Sequence, residues 1–207
     1  GTWHWSVPGP CSVIAGTGWA PWSAGNCSLR PGSTRPKFVS SFARLAALVQ
    51  QQFDEAVIRL HIPYSAFFDP DGKEAKARVE EARAQIQKPG IRIEATHSLL
   101  STDGLLDFLA GNSLNAFLYD DMYRGIASTV DYALVVDRPI AITRSYMFRH
   151  LWDAAPSILV EQRTLPEILA AGTAPLVRYR QAWSAMSLAK EYETILDRIL
   201  AGRYGAH

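Results

Sequence analysis

Residues 114–143 read "LNAFLYDDMYRGIASTVDYALVVDRPIAIT". The run from Leu114 to Leu118 is almost wholly apolar, as a strand is when both of its faces are covered. The acidic pair Asp120-Asp121 follows. Arg124-Gly125 comes next, and then Ile126-Ala127-Ser128 opens a segment with helical spacing. Pro139 closes that segment and "IAIT" returns to strand character. Strand, glycine-containing turn, helix and strand in this order predict a βαβ unit, with the turn at the carboxyl end of its first strand.

The same alternation extends in both directions. "FARLAALVQQQF" carries Phe42, Leu45, Ala46, Leu48, Val49 and Phe53 at helical spacing, and "EAVIRLHI" reads as a strand ended by Pro63. "KEAKARVEEARAQIQ" is a charged helix closed by "KPG", and "IRIEATH" is a strand. "STDGLLDFLAGN" is a helix with Ser101 or Thr102 as cap and a Gly-Asn stop. Beyond Thr143, "MFRHLWDAA" predicts a short helix, "SILVE" a fifth strand, and "TLPEILAAG" a helix capped by Thr164. The segment from Pro175 to Tyr204 predicts one long amphipathic helix, with Trp183, Met186, Ala189, Tyr192, Ile195, Leu196 and Ile199 along one side. Residues 55–62, 91–97, 115–120, 139–143 and 157–161 are thus expected as neighbours in one parallel sheet. The fold class predicted is α/β, a Rossmann-like doubly wound sheet of about five strands with a long C-terminal helix.

The first 40 residues differ from the rest. Residues 1–29 contain no Asp, Glu, Lys or Arg, and the first acid of the chain is Asp54. Trp3, Trp5, Trp19, Trp22, Cys11 and Cys27 all lie there, and neither a period of 2 nor one of 3.6 persists. Three readings stand side by side: an aromatic-rich binding arm, a disordered segment, and a stretch foreign to the domain that follows. The division expected is an irregular segment at 1–40, the α/β domain at 41–200 and a tail at 201–207. Little apolar packing of residues 1–35 against the sheet is expected.

Composition narrows the function classes. The chain is 48% hydrophobic and 20% charged, with a net charge of +1 and both signs interspersed. No basic nucleic-acid surface is expected from that balance. The longest apolar runs fall far short of a membrane span. No basic segment precedes an apolar run at the N-terminus, so no leader is expected. Two cysteines are too few for a disulfide framework, and a reducing, cytoplasmic setting is expected. The sequon at Asn26 carries no meaning there.

Chemistry is expected at the Arg124–Ser128 junction. Unpaired N–H groups and the dipole at a helix N-terminus favour an anion. Gly125 lets the backbone come close to a phosphate, and Arg124 adds a planar charged fork. Asp131, further into the helix, can reach a vicinal diol such as a ribose. The plainer reading is a short turn whose Gly125 and Ala127 serve tight helix–sheet packing. Neither a G-x-G-x-x-G nor a G-x-x-x-x-G-K-[ST] loop occurs, which argues against nicotinamide and P-loop chemistry. No cofactor is expected. No His/Cys cluster has metal spacing and no metal is expected. No G-x-S-x-G elbow occurs.

"FDEAVIRLHIPYSAFFDPDG", the stretch from Asn115 to Leu151, "SILVEQRTLPEILAAG" and the closing "AWSAMSLAKEY" resemble the C-terminal half of GT-B type glycosyltransferases. The resemblance covers roughly residues 41–200. It is most specific in the Gly-Ile-x-Ser-x-x-Asp-Tyr-Ala-Leu helix and the Arg-Pro-Ile-Ala-Ile-Thr strand. It implies that Arg124, Gly125, Ile126, Ala127 and Ser128 hold the diphosphate of a nucleotide-diphosphate sugar donor, that Asp131 holds the ribose, and that Asp120 and Asp121 lie near the donor sugar. It also implies a partner, the N-terminal GT-B domain that would complete the cleft. Two departures are plain. Position 123, eight before Asp131, is Tyr where the family carries an acid. Lys37, in "RPKFVSSFARL", lies in no glycine-rich loop of the family's kind.

Secondary candidates lie at other strand ends. His97 ends the second predicted strand of the domain, Ser145, Tyr146, Arg149 and His150 follow the fourth, and Glu161 ends the fifth. Each has an ordinary packing role as its alternative, and His61 is expected to be a packed histidine. "DPDG" at Asp69–Gly72 reads as a turn. The function expected is the donor-binding half of a glycosyltransferase. The alternative is a non-catalytic Rossmann-like binding module.

Overall fold

The computed structural model describes residues 11–16, 36–64, 69–118 and 126–204. It is an α/β protein. Strands β2 (Ala56–His61) and β3 (Ile91–Thr96) form one parallel pair, and β4 (Leu114–Phe117) and β5 (Ile140–Ile142) form another. The backbone of β1 (Cys11–Gly16) lies between the pairs, bonded in parallel to β2 and to β4. The order is therefore β3-β2-β1-β4-β5. One row across it runs Ile93, Ile58, Val13, Leu114.

Helices α1 (Pro36–Gln52), α2 (Lys73–Arg83) and α5 (Leu165–Ala171) share one core. They contribute Phe42, Leu45, Ala46 and Val49, then Ala75, Val79 and Ala82, then Leu165 and Ile168. Helices α3 (Thr102–Ala110), α4 (Ser128–Val135) and α6 (Val177–Ala182) share a second core with the 3-10 helix Tyr146–Leu151. Successive strand residues separate the two. Leu114, Ala116 and Ala141 join the first core; Phe117, Ile140 and Ile142 join the second. Since side chains alternate along a strand, the cores lie on opposite faces. Covering both faces explains why β4 and β5 are buried at every position.

Local chemistry sets the boundaries. Thr164 and Glu167 close a capping box at the start of α5, satisfying two helix donors reciprocally. Asp69 accepts from Glu74 N at 3.1 Å and Ala75 N at 2.8 Å, which starts α2. Gly72 has φ 66°, and a Cβ there would sit 2.3 Å from the Tyr64 ring. Both facts demand glycine. Asn112, just before β4, and Asn115, within it, are buried. Asn112 Nδ2 donates to Leu109 O at 3.0 Å and Asn115 Oδ1 at 3.2 Å, and Arg59 reaches Asn112 Oδ1 at 3.0 Å.

Four sequence expectations need correction. The segment drawn as irregular at 1–40 supplies β1 and the first turn of α1. The lack of packing expected of Trp3, Trp5, Trp19 and Trp22 concerns residues outside the described ones. Residues 157–161 do not form a fifth strand of their own. Leu159 makes a single parallel bridge to Ile142. Gln162 N and Arg163 N then both donate to Leu159 O at 3.0 Å, so the chain turns away into the Thr164 cap before a ladder can grow. The long C-terminal helix is present as α7 (Ala185–Tyr204), but it does not run unbroken from Pro175: the preceding α6 ends at Trp183 (φ −103°). Helix α7 continues past residue 200, so no separate tail begins there.

Candidate functional site

The opening junction divides between described and undescribed residues. β4 ends at Phe117 rather than near residue 120, and α4 begins at Ser128 rather than near Gly125. Asp120, Asp121, Arg124 and Gly125 lie outside the described residues. Ile126, Ala127 and Asp131 are placed. Ala127 is the N-cap of α4, and no side chain caps that helix. Its own N–H donates to Met147 O at 3.2 Å, which moors the junction to the turn after β5. Ala127 is buried, whereas Ile126 is exposed. Ser128 opens the helix.

Asp131 stands in the first turn of α4 at the mouth of an open groove of about 710 Å³. Leu134 and Tyr179 are among its buried residues, and Ile126, Val135 and Trp183 are exposed along it. Arg180 also lines it but is committed. Its guanidinium donates to Leu134 O at 2.7 Å and Val136 O at 2.8 Å, and pairs with Asp137 at 2.8 Å. It thereby satisfies carbonyls left over at the end of α4. The same hydrogen bond holds the Asp137 carboxyl below its ordinary pKa.

His150 is the residue the groove adds to the junction. Its side chain is 12% exposed, and Nε2 lies 3.6 Å from Asp131 Oδ1. Neither ring nitrogen has a hydrogen-bond partner. The ring leans on Trp183 at 5.5 Å between centroids, and Trp183 leans on Tyr179 at 5.3 Å. Buried nitrogens without partners are uncommon because their desolvation goes uncompensated. When protonated, His150 can form an ion pair with Asp131. When neutral, it can orient Asp131 or offer an acceptor or donor to a bound molecule.

The other candidates are held elsewhere. Glu161 accepts from Arg144 N at 3.2 Å and from Arg44 Nη2 at 2.8 Å, so it clamps α1 to the turn after β5. His97 Nδ1 lies 2.8 Å from Ile62 O, and its ring stacks on Tyr64 at 4.9 Å. Ser145 is buried and caps the 3-10 helix through Met147 N. Tyr146 is exposed, with the Arg149 guanidinium 4.2 Å above its ring. His61 is packed as expected, 2.9 Å from Thr96 Oγ1. Burial, and then the neighbouring His97, lower its pKa.

Sequence reasoning passed over Gly16. It ends β1, the central strand, and in the sequence Thr17 and Gly18 follow it. The signal was present: the apolar run Val13-Ile14-Ala15 before a glycine pair. It was hidden because the segment around it lacks any regular period. Among the described residues, no group of three or more His, Cys, Asp or Glu side chains is placed to hold a metal. No described helix is long and apolar enough to cross a membrane. No protein-family model matches the chain, and no curated protein matches it.

Proposed function

We propose that this chain is the Rossmann-like donor-binding half of a GT-B type glycosyltransferase. It binds a nucleotide-diphosphate sugar, and the acceptor is brought by a second domain. One observation carries the reading: the strand order changes direction between β1 and β4. In open parallel sheets a ligand sits beyond the carboxyl ends of the strands at that reversal. The junction from Leu118 to Ser128 leaves β4 beside it, and Gly16 ends β1 there.

In this reading Arg124 and the first turn of α4 take the diphosphate. Asp131 takes the ribose diol, with His150 Nε2 3.6 Å from its carboxylate. As the glycosidic bond breaks, charge develops on the leaving diphosphate. The charge of Arg124 and the helix dipole would stabilise that developing charge, which is electrostatic catalysis. Any general base would come from the second domain.

Calorimetric titration with UDP, GDP and pyrophosphate tests the reading. Arg124→Ala is expected to weaken all three by a few-fold to about a hundredfold, the range of a hydrogen bond to a charged group. Asp131→Ala is expected to weaken UDP and GDP more than pyrophosphate, which has no ribose. Equal binding by the wild type and both variants would leave the Arg-Gly turn a packing device, and the chain a non-catalytic module.

A further inference from the structure

No described apolar residue of helix α7 is buried. Met186, Leu188, Tyr192, Ile195, Leu196, Ile199 and Leu200 are all 49–80% exposed. Yet their order is not that of a solvated helix. Leu188, Tyr192, Ile195 and Ile199 recur at alternating spacings of four and three, the seam of a left-handed coiled coil. Leu196 and Leu200 widen the apolar side on one flank. Glu191 and Arg198 occupy the other flank, one heptad apart.

We propose that α7 is a self-association helix, and that its occupant is a second copy of this chain lying antiparallel to the first. The charges choose the partner and its direction. In the antiparallel pairing, Leu188 packs opposite Ile199 of the second copy, and Tyr192 opposite its Ile195. That register sets Glu191 beside Arg198 of the second copy, and by symmetry Arg198 beside its Glu191. In the parallel pairing, Glu191 would instead face a leucine, Leu196, and its charge would go unpaired. Only the antiparallel arrangement pairs both flanking charges with opposite signs. The sequence of α7 has three cations, Lys190, Arg198 and Arg203, and three acids, Glu191, Glu193 and Asp197. With no cationic excess, the helix is poorly suited to an anionic lipid surface.

Sedimentation equilibrium of the intact chain over a range of concentrations tests the proposal. The wild type is expected to show a reversible monomer–dimer equilibrium. Ile195→Asp places a charge in the middle of the seam and should weaken the dimer by about a hundredfold or more. The near-ultraviolet circular dichroism of the domain should not change, because Ile195 is exposed in the single chain. Glu191→Arg and Arg198→Glu should each weaken the dimer by roughly tenfold, and the double exchange should restore it. A wild type that stays monomeric at every concentration overturns the proposal. So does a dimer indifferent to Ile195→Asp, or single charge reversals that the double exchange does not rescue. Binding of the monomer to vesicles of neutral and anionic phospholipid would replace the second copy with a membrane. Nucleotide binding is measured separately, so either result leaves the donor-site reading standing or falling on its own titrations.

Discussion

At the scale of single residues, the same chemistry that suggested a site also serves construction. Glu161 ends an apolar segment, as a cleft carboxylate would. Its oxygens nevertheless receive Arg144 N–H and the Arg44 guanidinium. Glu161→Ala is expected to lower the unfolding free energy by roughly 1 kcal/mol, the value for a charged hydrogen bond after discounting its partial exposure. Urea denaturation reads that loss, and nucleotide affinity should not follow it. His61 makes the opposite kind of prediction. Burial depresses its pKa in the folded state, so the unfolded chain takes up a proton first as pH falls. Its contribution is fully present above the ordinary histidine value of about 6.5 and is lost below it. Stability should therefore decline from about pH 7 to about pH 5. His61→Asn should flatten that slope; an unchanged slope would assign it to other groups.

At the scale of elements, legibility followed periodicity. Helices α1, α2, α3 and α5 were readable because their apolar residues keep a helical spacing and their ends carry Ser101, Thr164 and glycine stops. β2, β3, β4 and β5 were readable as apolar runs between turn residues. What escaped was decided by tertiary contact. "SILVE" has strand composition, but the Thr164 capping box and the bonds to Leu159 O turn the chain after one bridge. "CSVIAG" has strand composition too, but it is short and lies among prolines, glycines and tryptophans. The unbroken apolar spacing from Val177 to Leu200 concealed the break at Trp183. Of the candidate site, Asp131 was legible as an acid near a helix start, whereas Ile126 and Ala127 lie before the helix expected to contain them, with Ala127 N–H bonded to Met147 O. The Asp131–His150 approach was not legible, because it joins residues from two separate turns. Phe148 beside it is wholly buried. Phe148→Ala is expected to cost about 3–5 kcal/mol in a urea titration. Any small loss would mean that the second core closes over the gap.

At the scale of the whole molecule, two cores share one sheet and α7 belongs to neither. Removing residues 185–207 should therefore leave the thermal midpoint of a dilute sample nearly unchanged, because the apolar surface lost was never buried. Differential scanning calorimetry checks this. A large drop would show that α7 supports the cores in solution.

The join between α6 and α7 has a mechanical consequence. Ser184 Oγ donates to Gln181 O at 3.1 Å, Ser187 Oγ donates to the same carbonyl at 2.7 Å, and Ser187 N donates to Ser184 Oγ at 3.1 Å. These few bonds are the fulcrum of a rigid arm about 30 Å long, at 1.5 Å per residue. A pivot of about 20° there would swing the far end through roughly 10 Å over that length. Trp183, beside the fulcrum, also walls the groove that holds Asp131 and His150. The groove and the root of the arm therefore share one side chain, and a small change of angle there is a large displacement at the far end.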